Sequence, residues 1–109
     1  MATTPKPLAS GQAANSLTTV YTAPTGTSTR IAAFAITNTT AGALTYSVSL
    51  ISATAGTARS VATTIAIAAY ETKSVTGAIG QVLAAGGIIQ IGASAATSLD
   101  YYVSGYEIV

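Results

Sequence analysis

The sequence predicts an all-β fold, a single-domain antiparallel β-sandwich of jelly-roll-like form with seven or eight short strands. Several short segments alternate apolar and polar residues with the period of two that is typical of strands. Turn signals rich in Gly, Pro, Asn and Thr recur about every 8 to 12 residues, the spacing of sandwich and barrel folds. Alanine is abundant and favours helices, but Thr, Val, Ile and paired glycines oppose them.

The main consequence of the composition is that few large apolar side chains are available to fill the core. The chain of 109 residues fits one domain, and 23 of its residues are alanine, whereas Ile, Leu, Val and Phe together number 24. Burial of a large aliphatic side chain contributes about 1.5 to 3 kcal/mol, and burial of alanine contributes much less. We therefore expect a homo-oligomer, with a trimer among the candidate forms.

The N-terminal segment, residues 1–16, is predicted to be a flexible arm, and residues 17–109 are predicted to be the β-sandwich domain. The arm holds two of the three prolines, small polar residues and little to bury. Within it, Pro5 and Pro7 confer stiffness and Lys6 suits an acidic partner, so these residues and Leu8 are the predicted attachment element. We expect the arm to become ordered on docking.

A β-hairpin is predicted over residues 31–52, with the loop NTTAG between its strands. Side chains alternate along a strand, so the first strand of this hairpin is apolar on both faces. The residues of one face are Ala32, Phe34 and Ile36, and those of the other are Ile31, Ala33 and Ala35. The buried face of the second strand comprises Leu44, Tyr46, Val48 and Leu50. A sandwich covers one side of each sheet, so Ile31, Ala33 and Ala35 are predicted at a subunit contact.

Further strands are predicted on both sides of this hairpin. A short strand, TTVYT, precedes a turn at Pro24 and Gly26, which suit the φ angles of a tight turn. After the hairpin, SVATTIAIAA and ETKSVTG flank Tyr70, and IIQIGAS forms the penultimate strand.

The last predicted strand covers residues 99–109. Its alternation places Leu99, Tyr101 and Val103 on one face and Tyr102, Ser104 and Tyr106 on the other. Gly105 is predicted to mark a bulge. Tyr102 and Tyr106 are the second predicted subunit contact, because tyrosine is enriched at such contacts.

Catalytic chemistry is not expected from this composition. The chain has no His and no Cys, and its carboxylates are Glu71, Asp100 and Glu107. General acid–base catalysis, nucleophilic catalysis and metal coordination therefore lack their usual groups. We predict no catalytic residues, no cofactor and no metal site, and Glu71 with Lys73 is interpreted as a solvated pair.

The charge and the short motifs of the chain do not favour other binding roles. Four basic and three acidic residues give a net charge of +1, so nucleic acid is not an expected partner. The two long uncharged stretches are too rich in Thr, Ser and Gly for membrane spans, and the N-terminus lacks the apolar run of a signal peptide. Asn38 begins a glycosylation sequon, but such a short motif is frequent by chance in a Thr-rich chain.

Four stretches of the chain resemble the small β-sandwich virion proteins of tailed bacteriophages, which serve as capsid decoration, head-fibre and tail-associated components. They are TTVYTAPTGTSTRIAAFAITNTTAG, AAYETKSVTG, QVLAAGGIIQIGAS and YYVSGYEI. In the third stretch, Leu83, Gly86 and Ile88 fit a bend that is typical of these proteins. Gly87 departs from the pattern, since related sequences often have an acidic residue there.

The resemblance implies a non-enzymatic virion structural protein, assembled in the host cytoplasm and partnered by itself, by the major capsid protein or by other virion proteins. The preferred role is an oligomeric decoration, or cement, protein on the outer head surface. The first alternative is a tail or neck fibre component that contacts the host surface. The second is a carbohydrate-binding module, in which Tyr101, Tyr102 and Tyr106 would form the aromatic platform beside Asp100.

Overall fold

The computed structural model describes residues 3–54, 56–95 and 99–108 and shows nine β-strands in that part of the chain. The strands are β1 (Thr3–Gln12), β2 (Thr18–Thr22), β3 (Ser28–Asn38), β4 (Leu44–Ile51), β5 (Arg59–Ile67), β6 (Thr72–Ser74), β7 (Val82–Leu83), β8 (Ile88–Ala93) and β9 (Leu99–Ile108). The predicted all-β sandwich is confirmed. Among the described residues there is no helix long and apolar enough to cross a membrane.

Two antiparallel sheets make up the sandwich. The first has the strand order β1-β9-β3-β6, with β7 also paired to β3, and the second has the order β2-β8-β4-β5. When the two-residue β7 is set aside, the first strand pairs with the last, the second with the next to last, and so on inward to β4 and β5. This nested pairing is the topology of a jelly roll.

The core lies between the inner faces of the two sheets. Its largest fully buried side chains include Phe34 and Ile36 from β3, Ile89 and Ile91 from β8, and Val103 from β9. The alternation predicted for β9 is confirmed, with Leu99, Tyr101 and Val103 facing inward. In β4 the residues predicted to be buried are buried or partly buried, but the opposite face is not solvated, since Ser49 is also buried. Packing of these side chains holds the sheets face to face at roughly 10 Å.

The predicted hairpin over residues 31–52 is wrong. Strand β3 lies in the first sheet and pairs with β9, β6 and β7, whereas β4 lies in the second sheet and pairs with β8 and β5. Residues 39–43 therefore connect the two sheets and do not form a hairpin loop. Both strands bury one face against the common core, and the sequence pattern is the same for a hairpin and for such a connection.

A β-bulge in β3 changes which of its residues face the core. Ile31 lies opposite Gly105, but Ala33 lies opposite Ser104, so Ala32 is an extra residue between them. The bulge turns Ile31 inward together with Phe34 and Ile36 and leaves Ala32 and Ala33 exposed. The predicted grouping of Ile31 with Ala33 and Ala35 is therefore wrong.

The predicted separate arm also needs correction, since residues 3–12 of the segment 1–16 form β1 at the edge of the first sheet. Strand β1 pairs with β9 from Thr3 to Gln12. Hydrogen bonding to a neighbouring strand orders an extended segment even when few of its side chains are buried. Pro5 and Pro7 fit an edge strand, because their missing N–H groups are tolerated where the backbone faces solvent.

A buried asparagine ties together the loops at one end of the sandwich. Asn38 is fully buried, and its amide nitrogen donates hydrogen bonds to the carbonyl oxygens of Gly42, Ile67 and Ala68 at 2.7, 3.4 and 3.1 Å. Its side-chain oxygen accepts from the backbone N–H and the hydroxyl of Thr40 at 2.9 and 2.7 Å. The asparagine of the sequon is thus inaccessible in the folded chain.

Candidate interaction surface

The surface of the first sheet that points away from the core is the candidate functional site, and we call it the outer face. Cross-strand pairing sets its side chains in rows. From one end to the other the rows are Pro5–Tyr106–Arg30–Val82, Pro7–Ser104–Ala33, Ser10–Tyr102–Ala35–Ser74 and Gln12–Asp100–Thr37–Thr72.

The outer face combines exposed apolar and aromatic groups with small polar residues and few charges. Val82 is 56% exposed, Tyr102 is 53% exposed and Tyr106 is 39% exposed, and these are three of the six large hydrophobic side chains exposed in the described chain. Arg30 lies in the row at one end, and Asp100 lies in the row at the other end. Exposed aromatic groups with few charges are characteristic of protein–protein contacts.

A shallow hollow occupies the Asp100 end of the outer face. It has a volume of about 380 Å³, and its lining includes Ser10, Gln12, Thr37, Asp100 and Tyr102. No side-chain hydrogen bond joins Asp100 or Gln12 to another described residue, whereas the Thr37 hydroxyl lies 2.8 Å from that of Thr72. The hollow therefore offers a carboxylate, a carboxamide and an aromatic ring to whatever contacts it.

Four of the five predicted subunit-contact residues are brought together on the outer face. Ala33, Ala35, Tyr102 and Tyr106 all point away from the core, although Ala35 is only partly exposed. Ile31 is the exception, since it is fully buried and packs in the core. Its prediction as a contact residue is wrong because the bulge at Ala32 reverses the direction of its side chain.

The four predicted attachment residues are divided between the two sides of β1. Pro5 and Pro7 lie on the outer face, opposite Tyr106 and Ser104 of β9. Leu8 is partly buried and packs against the core, so it is not available as a docking residue. The structure thus does not present these residues as one attachment element.

Lys6 belongs to a polar cluster at the edge of the sandwich, where its acidic partner is a residue of its own chain. The Lys6 ammonium lies 3.3 Å from Glu107 Oε1, and the Tyr21 hydroxyl donates to Glu107 Oε2 at 2.7 Å. The Thr29 hydroxyl lies 2.8 Å from the Tyr21 oxygen. Because Tyr21 is in β2 and Glu107 in β9, the cluster joins the two sheets. Nothing in the sequence pattern relates these residues.

The cluster shifts the pKa values of two of its members. The hydrogen bond from Tyr21 lowers the pKa of Glu107 below its usual 4.5, opposed by burial and assisted by Lys6. Burial raises the pKa of Tyr21 from 10.0 to about 12, and the bond and the charge of Glu107 act in the same direction, against the bond from Thr29. A protonated tyrosine and an ionised glutamate therefore form the stable pair at neutral pH.

Stability should therefore fall with acid and with alkali through this cluster. The lowered pKa of Glu107 stabilises the fold above pH 4.5, and this contribution is lost as the pH falls through the lowered pKa. The raised pKa of Tyr21 stabilises the fold below pH 10.0, and this contribution is lost as the pH rises towards about 12.

We expect Tyr21→Phe to lower the free energy of unfolding at pH 7 by about 1.5 kcal/mol and to reduce its pH dependence in both ranges. Urea unfolding across the pH range measures both effects, with Tyr70→Phe as the exposed control. Parallel stability curves for the wild-type protein and Tyr21→Phe would contradict this assignment.

The remaining acidic residues do not assemble a chemical site. Glu71 Oε1 accepts a hydrogen bond from the Ala68 N–H at 2.7 Å, and Lys73 donates to the Ala66 carbonyl at 2.7 Å. Both side chains thus bond to the backbone of the same turn region. Within residues 3–54, 56–95 and 99–108, no group of three His, Cys, Asp or Glu residues is placed to hold a metal ion.

Two exposed apolar side chains lie at the end of the sandwich formed by the connections 13–17, 39–43 and 68–71, which we call the loop end. They are Leu17, which precedes the edge strand β2, and Tyr70, which follows the opposite edge strand β5 and is 70% exposed, so they lie on opposite sides of this end. Tyr70 has φ of 57°, a left-handed conformation that costs a non-glycine residue roughly 1 to 2 kcal/mol. Its backbone N–H donates to the Thr40 carbonyl at 3.2 Å, which fixes it against the neighbouring loop.

Comparison with known proteins gives no relative for this chain: no family model, no curated protein and no solved structure matches it.

Proposed function

We propose that this chain is a non-enzymatic structural protein of a bacteriophage virion, an oligomeric decoration protein attached to the outer surface of the head. Its mechanism is adhesive. Copies contact one another and the shell, and many weak contacts together give stable attachment through multivalency. Its location is then the virion, and its partners are further copies and the major capsid protein or other virion proteins.

The observation that carries the proposal is the presence of exposed apolar side chains in two separate regions, the outer face and the loop end. The outer face presents Val82, Tyr102 and Tyr106, and the loop end presents Leu17 and Tyr70. A protein that links its own copies to a shell needs two such surfaces, one for each partner. We assign the outer face to self-association and the loop end to the shell.

The jelly-roll topology is compatible with this role without selecting it. Jelly rolls occur in viral capsid domains and also in lectin domains, so the fold alone does not identify a function. The resemblance in four stretches of sequence adds to the virion interpretation. The first alternative, a tail or neck fibre component, would use the same two surfaces at one position on the particle.

The second alternative, a carbohydrate-binding module, draws support from the hollow on the outer face. Asp100, Tyr101 and Tyr102 line this hollow, but the Tyr101 side chain is partly buried and packs against the core, and Tyr106 lies two rows away. Tyr102 is thus the one exposed ring of the suggested platform at the hollow. Binding to a glycan array at micromolar protein would favour this alternative.

Capsid occupancy tests the proposed role and the assignment of the loop end. We expect the purified protein to bind particles that lack it, and we expect Tyr70→Asn to lower occupancy at least tenfold at limiting protein concentration. Asparagine tolerates the left-handed conformation, so the free energy of unfolding should stay unchanged or rise by about 0.5 to 1 kcal/mol.

The control for this experiment is Ile79→Asn, which changes another exposed apolar side chain away from the loop end. Equal occupancy by wild-type protein and Tyr70→Asn would remove the loop end from attachment. If wild-type protein does not bind the particles at all, the decoration role fails. Deletion of residues 1–16 is unsuitable as a test, because it removes β1 and exposes the edge of β9.

A further inference from the structure

We propose that the outer face binds a second copy of this chain face to face, in a twofold dimer in which Arg30 and Tyr106 of each copy contact the Asp100 end of the other. The inference deepens the self-association named above and rests on that part of the proposed function. It does not depend on where in a virion, or whether in a virion, the protein is used.

The distribution of charge on the outer face is the first support. Arg30 is exposed at one end and Asp100 at the other. Lys6 pairs with Glu107, and Glu71 and Lys73 bond to backbone groups elsewhere. The face therefore has one positive end and one negative end, and such a surface is complementary to its own copy in the reversed orientation.

A twofold rotation brings the positive end of one copy over the negative end of the other. Its axis lies in the plane between the two outer faces and runs perpendicular to the strands. Rotation about it reverses the strand direction, so the row of Arg30 and Tyr106 lies over the row of Asp100 and Thr37 in the other copy. Tyr106 and Asp100 are six residues apart on β9, or about 20 Å. Arg30 is one strand away from Asp100, a lateral distance of about 4.8 Å, which the arginine side chain spans.

The shape of the outer face agrees with this arrangement. The hollow of about 380 Å³ lies at the Asp100 end, where the rotation places Tyr106 of the other copy. The rotation also places the two central rows over each other. One of them consists of Pro7, Ser104 and Ala33, which are small or flat and leave room for Tyr102 from the facing row of the other copy. Sheets that pack face to face are about 10 Å apart, close enough for the tyrosine ring to enter the hollow.

The size of the face is sufficient for a dimer of moderate affinity. A ten-residue strand such as β9 is about 33 Å long, and β1, β9 and β3 side by side span about 14 Å, with β6 and β7 together adding about half a strand beside β3. These dimensions give roughly 550 Å² per copy, below the roughly 800 Å² per partner of a standard interface. We therefore expect a dissociation constant in the micromolar range.

Charge reversal provides the test, because each single variant repels its own copies and attracts the other variant. We expect wild-type protein to sediment at twice the mass of one chain at about 50 μM. Arg30→Asp and Asp100→Arg should each weaken this dimer at least about 100-fold, since each change opposes like charges twice. An equimolar mixture of the two variants, and the double variant alone, should dimerise again.

Circular dichroism of each variant serves as the folding control, since both positions are exposed. The proposal is overturned if wild-type protein is monomeric at 50 μM, if it forms a trimer that both single reversals leave intact, or if mixing the variants restores nothing. A monomer that binds an oligosaccharide in the hollow would overturn it in favour of a saccharide site. Dimers that do not bind phage particles would leave the inference standing and would count against the virion role.

Discussion

Replacement of Asn38 by alanine is expected to lower the free energy of unfolding by about 3 kcal/mol. The side chain makes five hydrogen bonds in a fully buried position, and three of them satisfy carbonyl oxygens of residues 42, 67 and 68. Alanine would leave these carbonyl groups without this partner in the buried region. It would also release residues 39–43, which cross between the sheets.

Urea unfolding followed by circular dichroism measures this effect, and Asn15→Ala is the matched control. Asn15 is exposed, so its replacement should change stability by less than about 0.5 kcal/mol. If Asn38→Ala were as stable as Asn15→Ala, the network at residues 38–42 would not hold the loop end together. Aspartate at position 38 should destabilise further, because its charge would face the same carbonyl oxygens.

Gly105→Ala is expected to cost about 3 kcal/mol or to prevent folding. A Cβ atom at this position would collide with the carbonyl oxygen of Arg30 and lie 3.1 Å from its carbonyl carbon and 3.2 Å from the Ala32 nitrogen. All three atoms are backbone atoms of the bulged strand β3, so no side-chain rotation relieves the contact. The bulge in β3 can therefore form only if the residue opposite it, at position 105, is glycine.

Thermal unfolding compares Gly105→Ala with Gly42→Ala, whose added Cβ would have no atom within 4 Å. The control should be neutral or slightly stabilising, because alanine restricts the unfolded chain. A well-folded Gly105→Ala of wild-type stability would show that the bulge at Ala32 is absent or lies elsewhere.

The strands were largely predictable from the sequence because their signals are local. The alternation in β9, the buried residues of β4 and the turn at Pro24 and Gly26 depend on neighbours along the chain, and the structure confirms them. The partners of the strands were not predictable in the same way. A connection such as 39–43 has the same turn residues whether it closes a hairpin or crosses between sheets, so β3 and β4 were wrongly paired.

Strand β1 was missed for a related reason. Its composition lacks apolar residues to bury. The backbone hydrogen bonds that hold an edge strand can form with almost any side chains, so composition does not reveal them. The partial burial of Leu8 and Ala9 against the core adds a contribution that two isolated apolar residues do not reveal.

The candidate surface was predicted in part. Tyr102 and Tyr106 alternate correctly with Val103, so their position on the outer face followed from period two alone. Ile31 was misplaced because one bulged residue shifts every side chain before it to the opposite face. The Tyr21–Glu107 hydrogen bond joins residues 86 positions apart, and no pattern in the sequence relates them.

The proposed decoration role is tested most directly by electron cryomicroscopy of phage particles purified from the source of this sequence. We predict density for the sandwich at many equivalent positions over the head, with the loop end against the shell and the outer face against a second copy. Density confined to one vertex or to the tail would contradict decoration and support the fibre alternative. Absence of the chain from purified particles would contradict a virion role altogether.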